Sequence, residues 1–125
     1  MRILIVDDEQ LMRETLSAIF VDNGFDVLLA CDGKEAVKIF SENDIDFILM
    51  EIEMPEMDGL NAYQKMMKLC ADEKKKPYIV LMTGKLDQLE QAKKQGVKVI
   101  EKPFEVNKAV SMFLELKREK YEIFR

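Results

Sequence analysis

The sequence predicts a doubly wound α/β fold, a five-stranded parallel sheet with helices on both faces. Three observations predict it. Short apolar runs rich in β-formers alternate five times with longer amphipathic stretches. Parallel strands need such crossovers, and a succession of crossovers covers the sheet on both sides. The 125 residues, 48% of them hydrophobic, fit one domain, residues 1–125, with enough apolar material to bury a real core.

The first strand is Arg2–Val6, whose apolar run from Ile3 to Val6 is too short for a membrane span or a signal peptide. A helix at about Glu9–Asp22 follows; it sets Leu11, Thr15, Ile19 and Asp22 on one line, with Leu16 and Phe20 widening the apolar stripe, and Asn23-Gly24 stops it. Strand two is Phe25–Ala30, helix two Lys34–Glu42, strand three Phe47–Met50 and helix three Gly59–Ala71. The basic run Lys74-Lys75-Lys76 reads as a solvated loop ahead of nucleic-acid contact, and Pro77 closes it. Strand four is Tyr78–Met82, helix four Asp87–Gln95 with Gly96 as its stop, and strand five Val97–Ile100. The last helix, Glu105–Tyr121, carries Val106, Val110, Phe113 and Leu114 as a stripe for the sheet. Beyond it, Tyr121, Ile123 and Phe124 suggest an apolar contact site or a junction to an output domain.

Composition narrows the function. With 24 acidic against 19 basic side chains, the net charge of -5 argues against a general nucleic-acid or anionic-membrane surface. Together with the missing signal segment, this points to the cytoplasm. The absence of histidine removes serine-hydrolase triads, histidine metal sites and a histidine phosphoryl carrier. Cys31 and Cys70 are far apart without a paired-cysteine motif, so they read as small half-buried hydrophobes rather than as a disulfide or a thiolate metal site.

What remains sits at strand ends, where a doubly wound sheet opens its ligand crevice beside the reversal of strand order. In the flavodoxin-like order 2-1-3-4-5, that reversal lies between strands one and three. After strand one come Asp7, Asp8 and Glu9; after strand three come Glu51, Ile52 and Glu53. Asp7, Asp8 and Glu51 converging in one crevice form an oxygen-only cluster suited to magnesium or manganese. Either aspartate alone reads equally well as a cap on the first helix. Thr83-Gly84 after strand four offers a hydroxyl and an open backbone, and Lys102-Pro103-Phe104 after strand five offers an ammonium for an anion.

In order, spacing and strand position, Asp7-Asp8, the stretch from Met50 to Gly59, Thr83 and Lys102-Pro103-Phe104 resemble the response-regulator receiver domain of two-component phosphorelay signalling. The resemblance implies a metal held by Asp7, Asp8, the acceptor carboxylate and the backbone carbonyl of Glu53, with Thr83 and Lys102 contacting the phosphoryl group. It implies a sensor histidine kinase or phosphotransfer protein as donor, and an output protein or domain as target. It also implies an output or homodimer face on helix four, strand five and helix five. Such a domain signals by regulated binding and is not an enzyme.

Two positions depart from the pattern. Glu51 stands where the family has its phosphorylated aspartate, with roughly 1.5 Å of extra reach. Val99 stands three residues before Lys102, where receivers usually carry the Tyr or Phe that reports phosphorylation. Glu51 then has three readings: a receiver that signals without phosphorylation, an introduced acidic replacement imitating the phosphorylated form, or a glutamate that is itself phosphorylated. Two other functions compete: a small magnesium-dependent phosphohydrolase, and a metal-free pseudo-receiver that only binds partners. The adjacent, unspaced Asp7-Asp8 pair and the short chain weigh against the hydrolase.

Overall fold

A computed structural model describes residues 1–123 of the chain. Its elements run β1 (Arg2–Val6), α1 (Gln10–Asp22), β2 (Asp26–Ala30), α2 (Gly33–Glu42), β3 (Phe47–Glu51), α3 (Gly59–Leu69), β4 (Tyr78–Thr83), α4 (Leu86–Lys94), β5 (Lys98–Glu101) and α5 (Val106–Ile123). The strands form one parallel sheet in the order β2-β1-β3-β4-β5, the flavodoxin-like arrangement. The switch in strand order therefore falls between β1 and β3.

Each central strand is buried on both faces, as parallel sheets require. Ile3, Ile5, Phe47 and Leu49 point to one side, where Leu16 and Phe20 of α1 and Val110 and Phe113 of α5 meet them. Leu4, Val6, Ile48 and Met50 point to the other, packing with Ala36 of α2, Leu60 and Met66 of α3 and Ala92 of α4. On the first side the rings of Phe20, Phe25, Phe47 and Phe113 interlock edge to face, their centroids 5.3–5.9 Å apart.

Helix stops follow the predicted chemistry. Gly24 and Gly96 both adopt positive φ, at 86° and 75°, where a side chain is disfavoured. After α1, the Phe25 and Gly24 N–H groups bond back to Phe20 and Val21; after α4, those of Val97 and Gly96 bond back to Ala92 and Lys93. Each closes its helix with the same paired motif. Asp32 and Asp58 cap α2 and α3 by accepting the N–H groups of Glu35 and Asn61.

Several expectations shift. The core stripe of α1 is not the Leu11–Thr15 line: Leu11 is 76% exposed and Thr15 is exposed, and the buried residues are Leu16 and Phe20, with Met12 and Ile19 beside them. The stripe is thus rotated by about one residue, onto the Met12–Leu16–Ile19–Phe20 face. In α5, Leu114 is exposed, and Ala109 and Leu116 join Val110 and Phe113 in the core. Helix α3 ends at Leu69, short of Ala71. Lys74 and Lys75 lie exposed in a short turn, Glu73–Lys75, and Lys76 pairs with Glu73 at 2.6 Å. The side chains of Tyr121, Ile123 and Phe124 lie outside the described residues. Among those described, no helix is long and apolar enough to cross a membrane.

Candidate functional site

The carboxyl ends of β1, β3, β4 and β5 bring Asp7, Glu51, Thr83 and Lys102 to one end of the sheet. Asp7 is the first residue past β1 and is fully buried. Its Oδ1 accepts the Glu9 N–H at 2.9 Å, turning the chain into α1, and its carbonyl accepts Nη1 of Arg13 at 2.7 Å. Arg13 escaped the sequence reading. It falls one helical turn into α1, where an arginine reads as solvated surface.

Glu51 closes β3 with only 8% of its surface exposed. Its carboxylate folds back on the chain: Oε2 accepts the N–H groups of Ile52 at 2.7 Å and Glu53 at 3.3 Å. Oε1 accepts Nζ of Lys102 at 2.7 Å, and the same ammonium reaches Oδ2 of Asp7 at 3.1 Å. Burial works against the charge on Lys102, but the hydrogen bond and charge of Glu51, then the charge of Asp7, outweigh it and raise its pKa above the ordinary value. Lys102 is held in place by its own N–H, which donates to the Thr83 carbonyl at 2.8 Å, and the Lys102–Pro103 peptide is cis.

Asp8 and Glu53 are exposed and line a shallow cleft with Glu9, Glu51, Met54 and Pro55. Glu53 also pairs across the cleft mouth with Lys85 at 2.7 Å. The donor set is all oxygen, which suits a hard divalent cation in kind. The arrangement favours the lysine: among the described residues, the carboxylates of Asp7, Asp8, Glu51 and Glu53 do not bring three oxygens within 4.8 Å of one another. Three potential ligands do come that close in Cys31, Asp32 and Glu35. There the thiol donates to Glu35 at 3.1 Å, which raises its pKa and keeps it a thiol.

Thr83 ends β4 almost fully buried, but its hydroxyl points its bond elsewhere: it donates to Oε1 of Gln88 at 2.8 Å and accepts the Lys85 N–H at 3.0 Å. Gln88 was also invisible in sequence, since a glutamine in the first turn of a helix carries no pattern. Val99 pairs with Leu81 in the sheet and packs, half-buried, on the α2–α4 side.

The response regulator receiver domain family matches residues 3–113. The chain is similar to regulatory protein AtoC of Escherichia coli, 38% identical over 98% of this chain, but it spans only 27% of that protein's length. It is 37% identical to chemotaxis protein CheY of Thermotoga maritima, over 87% of this chain and 91% of the relative. With sporulation initiation phosphotransferase F of Bacillus subtilis it shares 31% identity over 93% and 95% of the two chains. A solved N-terminal domain from Wolinella succinogenes superposes with a TM-score of 0.85 at 28% identity, covering 98% of both chains. The order of the strands, the acidic and basic side chains gathered at their ends and these likenesses agree: the chain belongs to the response regulator receiver domain family of two-component signalling.

Proposed function

We propose that this chain is a single receiver domain over residues 1–125 in which Glu51 occupies the phosphoacceptor position and supplies the negative charge itself, so that it signals by protein binding without phosphorylation. One observation carries the reading: both oxygens of Glu51 are already engaged, one by Lys102 at 2.7 Å and the other by two backbone N–H groups. A carboxylate so satisfied is a poor nucleophile toward a phosphodonor. A displacement on the order of 1 Å from the productive position costs about a hundredfold in rate. The likeness of the surrounding residues to the family pattern supports assigning Thr83 and Lys102 as the residues for a phosphoryl-like anion.

Asp7, Asp8, Glu51 and the Glu53 carbonyl are the oxygens that would hold magnesium or manganese, which would supply charge neutralisation between the carboxylates and an incoming anion. Lys102 supplies part of that neutralisation without a metal. The partners that follow from the family are a histidine kinase or phosphotransfer protein, and an output protein or domain met through α4, β5 and α5.

The test is incubation with acetyl phosphate and magnesium, read by intact mass. The parent protein is expected to gain no phosphate, while Glu51→Asp gains one at a rate at least about a hundredfold above the parent's. A labile adduct on the parent that disappears in Glu51→Ala would sink the phosphorylation-independent reading. Magnesium titration followed by calorimetry is expected to show millimolar binding lost in Asp8→Ala. Heat identical in the two proteins favours the metal-free module instead, a reading that the engagement of Asp7 and Glu51 by Lys102 also supports.

A further inference from the structure

The end of the sheet opposite the cleft is basic. From Gly59 to Ile100 the chain holds nine lysines, no arginine and four acidic residues, although its net charge is -5. The acidic excess therefore lies elsewhere, and this stretch is where an anionic partner is drawn. Lys68 lies in the last turn of α3 and Lys93 and Lys94 in that of α4, Lys74 and Lys75 fill the turn before β4, and Lys98 opens β5. The Gln64 amide donates to the side-chain oxygen of Gln95 at 3.3 Å, which draws the end of α4 against α3. All six lysines are exposed, and none has an ion pair among the described residues. Complementing the helix dipoles accounts for Lys68, Lys93 and Lys94. It does not account for Lys74, Lys75 and Lys98, which belong to no α-helix.

Among these charges lies an apolar slot of about 230 Å³. Buried Ile79, Val97 and Leu116 form its floor, and half-buried Tyr63, Met67 and Tyr78 its walls. Lys76 and Lys98 also line it, with Glu119 as the acidic residue there. The slot is smaller than the roughly 300–1,000 Å³ of sites for drug-sized ligands, and its size suits one large side chain. We propose that this surface docks an acidic polypeptide segment, which inserts one aromatic or large aliphatic side chain into the slot while its carboxylates meet the surrounding lysines. An apolar anchor in a pocket, ringed by polar contacts, is the usual form of a protein–protein hot spot. A bilayer offers no protrusion to fill such a slot. A nucleobase is gripped between two rings, and one of the two here is engaged: Tyr78 stacks on Phe47, centroids 6.0 Å apart, and holds Lys120 5.9 Å from its ring centre. The surface uses α3 and the amino-terminal ends of β4 and β5, away from the cleft, so the inference does not rest on the reading of Glu51.

The test uses the full chain and a short capped peptide of glutamates around one central tryptophan. The chain has no tryptophan, so the indole fluorescence of the peptide reports binding directly. Saturable binding with a blue shift is expected, with amide NMR shifts gathered at Met67, Gly96, Val97 and Lys98. The same peptide with a central serine, measured by competition, binds at least about tenfold more weakly. Lys74→Glu combined with Lys75→Glu lowers the affinity on the order of tenfold, by reversing two exposed charges of the rim. Lys34→Glu combined with Lys38→Glu, on α2, makes the same change in net charge. It leaves the affinity within about twofold in about 0.15 M salt, where distant exposed charges are screened.

Absence of saturable binding, equal affinity for the serine peptide, or equal weakening by the α2 pair would overturn the proposal. So would NMR shifts centred on Asp7 and Lys102, which would place the peptide in the cleft. A single-stranded oligothymidylate and phosphatidylglycerol vesicles are expected to leave the peptide bound. Displacement by either at matched charge concentration assigns the surface to nucleic acid or membrane and overturns the polypeptide. The NMR mapping needs no variant, so it decides the matter even if a variant does not fold. No phosphodonor is present, and the outcome is independent of whether Glu51 accepts phosphate.

Discussion

Lys102→Met is expected to destabilise the protein by about 3–5 kcal/mol at neutral pH, the usual cost of stripping the partner from a buried ion pair. The variant would leave Asp7, with no exposed side chain, and Glu51, with 11%, facing each other without their shared cation. Urea unfolding at pH 7.5 checks it: the midpoint falls and the slope is unchanged. The pH dependence has a definite sign. Since folding raises the pKa of Lys102, its contribution is fully present below the ordinary lysine value of about 10.4 and is lost as pH rises through the higher folded value. The parent should therefore lose stability in that alkaline window, and Lys102→Met should lack this loss. Equal midpoints for the two proteins at pH 7.5 would mean that the three charges are solvated independently.

The second large effect belongs to Gly59, the first residue of α3. A Cβ there would lie 2.4 Å from the carbonyl oxygen of Glu51 and 2.9 Å from Cα of Ile52. Both are backbone atoms, which cannot rotate away. The Gly59 N–H also donates to the Ile52 carbonyl at 2.7 Å, so α3 is drawn tightly against the end of β3. Gly59→Ala is expected to cost about 3 kcal/mol, at the upper end for overpacking, and to move the Glu51 carboxylate off Lys102. Gly96→Ala is the control: nothing lies within 4 Å of its Cβ, and only its positive φ resists, at about 1 kcal/mol. Chemical denaturation of the pair separates close approach from backbone strain. A milder effect at Gly59 than at Gly96 would show that the β3–α3 connection gives way easily.

The sheet was legible because its strands are continuous apolar runs, a signal that burial on both faces imposes. β1 matches its predicted bounds, and the other strands differ by a residue at one or both ends. Helix faces were less legible. The α1 stripe went to Leu11 because leucine counts as core in any periodic reading, yet Leu11 faces solvent while its neighbour Met12, about 100° further round the helix, packs on the core. Leu114, in the middle of α5 beside buried Phe113, likewise turns its side chain to solvent, while Ala109, too small to stand out, is buried.

In the site, residue types were readable and their pairings were not. The approach of Asp7, Glu51 and Lys102 follows from their places at strand ends. The diversion of Thr83 to Gln88, the bond from Arg13 to the Asp7 carbonyl, and the positive φ of 68° at Glu56 depend on side-chain and loop geometry that no periodicity encodes. The Asp32 cap could have been read from Asp32 followed three residues later by Glu35.

The two faces of the sheet also differ in what fills them. The four buried phenylalanines all lie on the side of α1 and α5, beside Met82 with Met12 and Met112 at its margin, while the side of α2, α3 and α4 buries Met50, Met54 and Met66, with Met57, Met67, Phe40 and Tyr63 at its margin. Interlocked rings admit few arrangements, whereas unbranched thioethers refill irregular space at little cost. The interlocked rings thus fix the seating of α1 and α5 on the sheet more narrowly than the thioethers fix that of α2, α3 and α4.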